Sequence, residues 1–207
     1  TTLARLLTGI WPAFSGKVRL DGGDICAWNR EELGPHIGYL PQFVELFDGS
    51  IAENIARFSK PDMELVREAC RLAGLEALVE TLPQRYDTPV GEDGHFLSGG
   101  QRQRFALARA IYGKPRFVVL DEPNSSLDEA GDIALIDTLR TLHEWKTTVV
   151  IMTHRMNVLA SVDYIMLLAD GQIRKFGRRD EMLAALQQKS PHAQNGMSRE
   201  AVSGGSG

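Results

Sequence analysis

Apolar residues recur along the chain with the two spacings that are typical of helices and of buried strands. Where they return every three or four residues, the spacing predicts helices. The helical stretches are 1–11, 50–58, 62–82 with a break near Gly74, 98–113, 130–143, 156–160 and 179–188. Short continuous apolar runs predict strands instead, at 36–40, 116–120 and 147–152. Pairs of short strands are also predicted around turns at 21–23 and 170–171.

Strands that alternate with helices indicate an α/β fold with a parallel sheet. The stretch 43–113 departs from this alternation, because nearly all of it has helical spacing. We therefore expect a sheet-containing core formed by residues 1–42 and 114–188, with residues 43–113 inserted as a helical subdomain. Residues 189–207 are polar and small, and we expect them to form a disordered tail.

The composition fits a globular domain and excludes several classes of protein. Of the 207 residues, 43% are hydrophobic and 24% are charged, and the formal net charge is −4. This charge argues against a nucleic-acid partner, because binding to the phosphate backbone requires clustered Lys and Arg. No apolar run approaches the ~20 residues of a membrane-spanning helix. Cys26 and Cys70 are far apart, which indicates reduced thiols rather than a metal site.

Three of the predicted strands run directly into polar side chains. Gln42 follows the first strand, Asp121 and Glu122 follow the second, and His154 follows the third. The carboxyl ends of parallel strands meet at one edge of a sheet, which is where open α/β sheets bind ligands. An amide, two acids and an imidazole at this edge suit phosphate and Mg²⁺, which takes few carboxylates and accepts substrate phosphates.

Each of these groups has a predicted role in the attack of water on a terminal phosphate. Asp121 would hold Mg²⁺, and Gln42 would hold both the ion and the attacking water. Glu122 would orient and deprotonate that water. His154 would reach the terminal phosphate and stabilise the charge that develops there.

A second constellation lies in the sequence LSGGQRQR at residues 97–104. Ser98, followed three residues later by Gln101, predicts a capping box. Gly99 and Gly100 leave backbone N–H groups bare in the first turn, and such a helix N-terminus attracts phosphate. Each glycine costs about 1 kcal/mol relative to alanine in a helix. We therefore expect phosphate binding to compensate for them.

Together these stretches resemble the nucleotide-binding domain of ABC transporters. The sequences LSGGQRQR, FVVLDEP, SSLD and VIMTHR resemble its signature motif, Walker B motif, D-loop and H-loop, in that order, and YLPQ resembles its Q-loop. The resemblance covers residues 1–188. It implies a P-loop NTPase (RecA-like) core with a parallel sheet and an inserted α-helical subdomain, and it implies ATP and Mg²⁺ as ligands.

One motif of this family, the Walker A loop G-x-x-x-x-G-K-[ST], does not occur in the sequence. The opening residues TTLARLL resemble the stretch directly after its lysine. By this resemblance, Thr1 supplies a hydroxyl to Mg²⁺, and Thr2 lies beside it at the nucleotide. We expect that the N-terminal strands and the Walker A loop are missing from this sequence, and that the piece alone does not hydrolyse ATP.

The resemblance also implies a head-to-tail homodimer with ATP between the two subunits. Ser98, Gly99, Gly100 and Gln101 would then contact the phosphate held by the partner's Walker A loop. Asp128, in the D-loop, would act across the interface. Hydrolysis would loosen this sandwich and reset an attached transmembrane domain.

Finer details of the sequence resemble type I secretion ATPases of the protease-exporting branch. The stretches that carry this likeness are 37–58 and 120–131, and PVGEDGHFLSGG at 89–100 resembles the exporter segment that contacts the membrane domain. The likeness implies protein export from the cytoplasmic face of the bacterial inner membrane, with a periplasmic adaptor and an outer-membrane channel. Two alternatives stay open: a soluble ABC ATPase that acts on nucleic acid or ribosomes, and a non-hydrolysing ATP-binding module.

Overall fold

The computed structural model describes residues 1–91, 94 and 96–187. The predicted tail at 189–207, and part of the predicted exporter segment at 89–100, lie outside the described residues. The chain forms two compact units, the first from Thr1 to His154 and the second beginning at Arg155. The predicted division of the chain into a core, 1–42 and 114–188, and a helical subdomain at 43–113 stays a prediction.

The first unit contains most of the regular structure. Its helices are α1 Thr2–Leu7, α2 Arg30–Leu33, α3 Ile51–Ile55, α4 Met63–Leu72, α5 Glu76–Thr81, α6 Gly99–Ile111 and α7 Glu129–Glu144. Its strands are β1 Arg19–Leu20, β2 Gly23–Asp24, β3 Ile37–Leu40, β4 Phe117–Asp121 and β5 Thr148–Met152. Short 3₁₀ turns follow at Gly34–His36 and Arg85–Asp87. The helix α2 and both 3₁₀ turns were not predicted from the sequence.

The central sheet of this unit is parallel, with the strand order β3-β4-β5. All five residues of β4 are buried, as expected for a strand covered on both faces. The helix α1 packs on this sheet through Ala4, which clusters with Phe117 and Val119. The parallel sheet with crossing helices confirms the predicted α/β fold.

The strand β5 is less buried than β4. Its residues after Thr148 are only partly buried, although their sequence is as apolar as that of β4. Within the described residues β3 and β5 each pair only with β4, so both are edge strands of this sheet. An edge strand leaves one row of backbone groups and part of its side chains without a neighbour.

Two contacts hold α6 against β3. Gly38 lies so close to α6 that an added β-carbon would be 2.0 Å from the carbonyl oxygen of Ala110. Arg57 also connects the two elements, because its guanidinium donates to carbonyl oxygens on both sides. These contacts fix the helix that carries the LSGGQ sequence relative to the sheet.

The second unit is built around an antiparallel hairpin. It contains α8 Met156–Leu159, β6 Tyr164–Ala169, β7 Gln172–Arg178 and α9 Arg179–Gln187. The hairpin turns at Asp170 and Gly171, where it was predicted, and both residues have positive φ angles. Arg179 donates through Nη1 to the carbonyl oxygen of Ala160, 3.1 Å away, and so joins the start of α9 to the end of α8.

None of the helices in the described residues has both the length and the apolar content that crossing a bilayer requires.

Candidate functional site

The polar residues that follow the three sheet strands lie together at one edge of the first unit. The register pairs Leu40 with Leu120, and Asp121 with Met152, so the three strands end at nearly the same level. Because the strands are parallel, the residues after them emerge on the same side. The structure thus brings the predicted groups into two adjoining contacts, one around Asp121 and one around Glu122.

The first contact joins Thr1, Gln42 and Asp121. The hydroxyl of Thr1 donates to Oε1 of Gln42 over 2.9 Å, and the backbone nitrogen of Thr1 lies 3.5 Å from Oδ1 of Asp121. Thr1 precedes α1 as its N-cap, but its side chain makes no capping hydrogen bond. Thr2 is the first residue of that helix. The hydroxyl of Thr1 is therefore directed at the strand ends rather than at its own helix.

Asp121 is buried, with 1% of its surface exposed. Its Oδ2 atom is also buried and has no hydrogen-bond partner. Burial raises the pKa of the neighbouring Tyr39, and the negative charge of Asp121 raises it further. A buried carboxylate oxygen without a partner is costly unless a cation or donor reaches it. This oxygen is therefore available to a ligand.

The second contact joins Glu122 and His154. Nδ1 of His154 lies 3.1 Å from Oε1 of Glu122, and with the proton on Nδ1 the imidazole donates to the carboxylate. The other carboxylate oxygen, Oε2, is buried and has no partner. The carboxylate thus has one oxygen held by the imidazole and a second oxygen that can accept from a water molecule.

The backbone of Glu122 has an unusual conformation. Its φ angle is 50°, in the left-handed region that side-chain-bearing residues seldom adopt. Its N–H donates to the carbonyl oxygen of Met152 over 2.9 Å, which ties it to the end of β5. Conformations of this kind cluster at functional sites, where the surrounding structure holds them in place.

The predicted capping box at the start of α6 is present. The side chain of Ser98 accepts from the backbone N–H of Gln101 over 3.1 Å, and Oε1 of Gln101 accepts from the N–H of Ser98 over 2.9 Å. A β-carbon at Gly100 would lie 2.8 Å from the carbonyl oxygen of Ser126, whereas one at Gly99 would meet nothing closer than 3.6 Å. Gly100 therefore has a packing role in addition to any role with phosphate.

Asp128 has a local partner in this structure. It is the N-cap of α7, and its Oδ1 accepts from the N–H of Gly131 over 2.8 Å. This bond stabilises the start of the helix that leads from β4 to β5. The side chain is exposed, and its predicted role across a dimer interface stays a prediction.

Comparison with known proteins identifies the family to which these groups belong. The family model described as ABC transporter matches residues 1–125. The chain belongs to the ABC transporter family. The geometry described above therefore lies within the ATP-binding domain of this family, with Asp121 as the last residue of β4 and Glu122 directly after it.

Individual relatives give the same assignment. The chain is 46% identical over 184 residues to the type I secretion system ATP-binding protein PrsD of Rhizobium meliloti, a match that covers 88% of the chain and 32% of that protein. It is 38% identical over 187 residues to the ATP-dependent lipid A-core flippase of Methylococcus capsulatus, covering 89% of the chain and 31% of that protein. The chain thus spans about a third of the length of these curated relatives.

A solved structure confirms that the fold is that of the ATPase domain of an ABC exporter. A bacterial Atm1-family ABC exporter with ATP bound superimposes with a TM-score of 0.79 and 32% sequence identity. The match covers 89% of this chain and 32% of that chain. The ABC assignment made from the signature, Walker B, D-loop and H-loop sequences is therefore confirmed.

One residue of the ABC signature helix was missed by the sequence analysis. Gln103 is 2% exposed, and its amide contacts the loop that follows the Walker B strand. The only sequence signal was its position, because Gln103, Leu107 and Ile111 are spaced four apart and share the buried face of α6. A polar residue in such a row predicts a buried hydrogen-bonding role.

Proposed function

We propose that the chain is the ATP-binding and ATP-hydrolysing cassette of an exporter. The observation that carries the proposal is the Glu122–His154 contact next to the Thr1–Gln42–Asp121 group. This arrangement supplies a carboxylate for the attacking water, an imidazole for the terminal phosphate and oxygen ligands for a metal.

The residues around Asp121 fit Mg²⁺. Three oxygen atoms could serve as hard ligands of the ion. They are the buried, unpartnered Oδ2 of Asp121 and the neighbouring side-chain oxygens of Gln42 and Thr1. When bound, Mg²⁺ neutralises negative charge on the phosphates of ATP. Asp121 would be its carboxylate ligand, and Thr1 and Gln42 would complete the protein's share of the ligands.

Glu122 and His154 would perform the proton and charge chemistry. Oε2 of Glu122 would accept a hydrogen bond from the attacking water and then take its proton. His154 would hold Glu122 through Nδ1, leaving Nε2 directed away from that carboxylate and able to contact the terminal phosphate. Fixing both groups at the ends of rigid strands costs no reorganisation during the reaction, which favours catalysis.

The family supports a dimeric mechanism for the whole protein. Ser98, Gly99, Gly100 and Gln101 would meet the phosphates bound by the partner subunit, and Asp128 would contact that subunit. The transmembrane domain of the same exporter would follow the closing and opening of this dimer. The domain would then lie at the cytoplasmic face of the membrane.

The transported substrate is proposed to be a protein. The support is the 46% identity to the secretion protein PrsD, against 38% for the lipid A-core flippase. By this proposal a periplasmic adaptor and an outer-membrane channel complete a type I secretion route from the bacterial cytoplasm. The match to a flippase gives a second candidate substrate class, a lipid.

The catalytic assignment is tested by Glu122→Gln in the full-length gene product. The amide keeps the shape of the carboxylate but cannot take a proton, so ATP turnover should fall at least about 100-fold. ATP-dependent dimers, measured by size exclusion, should persist because the binding contacts remain. Turnover close to that of the parent protein would remove Glu122 from the base role. The absence of turnover in the parent would sink the ATPase proposal itself.

The substrate proposal is tested by deleting the gene in its host. We expect specific proteins to disappear from the culture medium and to return when the parent gene, but not the Glu122→Gln gene, is supplied. Unchanged secreted protein together with altered outer-membrane lipid A would contradict the protein-export proposal and favour the lipid candidate.

A further inference from the structure

The side chain of Gln103 connects the signature helix to the loop that carries Glu122. Its Nε2 donates to the carbonyl oxygen of Glu122 over 2.9 Å and to Oγ of Ser125 over 3.2 Å. Its Oε1 accepts from the N–H of Ser126 over 2.8 Å. The amide therefore bonds to three successive parts of one short loop, and each of its polar atoms has a partner.

This loop needs support, because Glu122 has a positive φ angle. The N–H of Glu122 is held by Met152, and its carbonyl oxygen accepts from Gln103 and from the N–H of Ser125. The bonds on the two sides of the residue fix both neighbouring peptide planes. A left-handed conformation at a residue other than glycine persists only where such bonds over-determine it. Of the partners that hold the Glu122 backbone here, Gln103 contributes a side chain, whereas Met152 and Ser125 contribute backbone groups.

The same loop approaches the helix at a second point. The carbonyl oxygen of Ser126 lies where a β-carbon of Gly100 would be 2.8 Å away. Two contacts thus hold the start of α6 against the segment 122–126. One is the close packing of Gly100, and the other is the set of hydrogen bonds from Gln103. Within one chain, the position of the signature sequence and that of Glu122 are mechanically linked.

We propose that Gln103 is a positioning residue for ATP hydrolysis, which acts by holding the backbone of Glu122 and transmitting the position of α6 to it. The proposal rests on the proposed ATPase function. Gln103 contacts neither the metal ligands nor the phosphate in this account, and its effect passes through the Glu122 carbonyl oxygen. Loss of the amide would let the Glu122 side chain leave its place beside His154.

The test is Gln103→Met in the full-length gene product. Methionine has nearly the same length and shape but offers no amide hydrogen bonds. We expect kcat for ATP hydrolysis to fall about 10- to 100-fold, because small misplacement of a catalytic group has effects of that size. The KM of Gln103→Met for ATP should stay within about twofold of the parent value, because the binding contacts are untouched. ATP-dependent dimerisation, measured with and without Gln103→Met in a Glu122→Gln background, should also differ by no more than about twofold.

A variant with a comparable structural loss supplies the control. Thr138→Val removes a fully buried hydroxyl, whose single O–H is shared between the carbonyl oxygens of Leu72 on α4 and Ala134 on α7, each 2.8 Å away. We expect Thr138→Val to lower Tm, as we also expect for Gln103→Met, but to leave kcat unchanged. If the two variants lower Tm alike and both keep the parent kcat, Gln103 has only a structural role and the proposal is overturned.

A second substitution covers the case in which Gln103→Met does not fold. Gln103→Asn keeps the amide but is one methylene shorter, and it should therefore give a smaller fall in kcat. If Gln103→Met does not fold, a folded Gln103→Asn variant with the parent kcat would contradict the proposal. Failure of the parent protein to hydrolyse ATP, in contrast, would defeat the proposed function and be seen before any variant is made.

Discussion

Gly38 and Ala110 pack closer than any side-chain-bearing residue at position 38 would allow. A β-carbon on Gly38 would lie 2.0 Å from the carbonyl oxygen of Ala110, and backbone on both sides prevents a cheap adjustment. We predict that Gly38→Ala destabilises the protein by about 2 kcal/mol, which corresponds to a fall in Tm of about 4–8 °C. Thermal unfolding of the purified protein measures this shift.

Gly177 provides the comparison for this prediction. It lies in β7, and an added β-carbon would come no closer than 3.5 Å to another atom, which is an ordinary van der Waals distance. Gly177→Ala should therefore leave Tm unchanged or raise it slightly, because alanine restricts the unfolded chain. Equal Tm values for the two variants would show that the close approach of Gly38 to α6 has no energetic weight.

Arg57 uses all five of its N–H donors on carbonyl oxygens. Three of the acceptors lie at the end of α6, and two lie near the start of β3: Arg109, Ala110, Tyr112, Gly34 and Ile37, at 2.8–3.3 Å. The last carbonyls of a helix have no partner within it, and a cation stabilises them. Burial, with repulsion from Arg109, lowers the pKa of Arg57 to about 10, so it stays charged at neutral pH.

From this geometry we predict that Arg57→Lys lowers the free energy of unfolding by about 2 kcal/mol. Lysine has three donors at one point and cannot reach both sets of acceptors, which leaves carbonyl groups unpaired. Urea denaturation gives the change. Arg140→Lys, at an exposed residue paired with Asp137, should behave as the parent. An Arg57→Lys midpoint equal to that of Arg140→Lys would refute the bridging role.

The two cysteines should react very differently with thiol reagents. Cys26 is exposed, whereas Cys70 is buried and its pKa is raised to about 12 by burial and, to a smaller extent, by Glu76. The thiolate is the reactive form, so Cys70 should stay unmodified in the native protein. A colorimetric thiol assay at pH 8 should titrate one thiol before denaturation and two after it. Rapid reaction of a Cys26→Ser variant would show that Cys70 is accessible.

The Cys70 shift also predicts a pH dependence of stability. The thiol has a higher pKa in the folded protein than the ordinary value of 9.0, so the unfolded state releases its proton first. The contribution of this group is complete below about pH 9 and is lost as the pH rises towards 12. A Cys70→Ala variant should lose this part of the alkaline dependence, which denaturation midpoints between pH 8 and 10.5 would reveal.

The groups at the strand ends could be predicted because side-chain chemistry and strand position are both visible in the sequence. Gln42, Asp121, Glu122 and His154 each follow an apolar run, and the parallel sheet brings such positions together. The capping box of α6 was predicted for a similar reason, from Ser98 and Gln101, whereas the same motif formed by Ser50 and Glu53 at α3 was not predicted.

Gln103 and Arg57 could not be assigned from the sequence, because their partners are mostly backbone atoms. Every residue has a carbonyl oxygen, so no residue type marks the acceptor of a distant side chain. The short helix α2 was not predicted from the sequence, for a local reason. It has one buried residue, Leu33, and therefore no apolar repeat; its remaining signal was the cap at Asn29, which accepts from the N–H of Glu31.

The contact of His154 with Glu122 gives a prediction for the reaction itself. The imidazole lies 3.1 Å from the carboxylate, and the His154 side chain is 79% exposed. It therefore contributes little to the packing of the described part of the first unit. His154→Ala should therefore lower kcat for ATP hydrolysis about 100-fold while Tm stays within about 2 °C. Steady-state turnover and thermal unfolding of the full-length gene product measure the two quantities.

The control for this variant is His143→Ala, at an exposed histidine in the last turn of α7. It removes the same group from the same unit, and it should keep turnover at the parent level. If both variants lose activity equally, the effect is not specific to the Glu122 contact. If His154→Ala keeps more than half of the parent turnover, the imidazole does not act on the phosphate, and Glu122 must position the water without it.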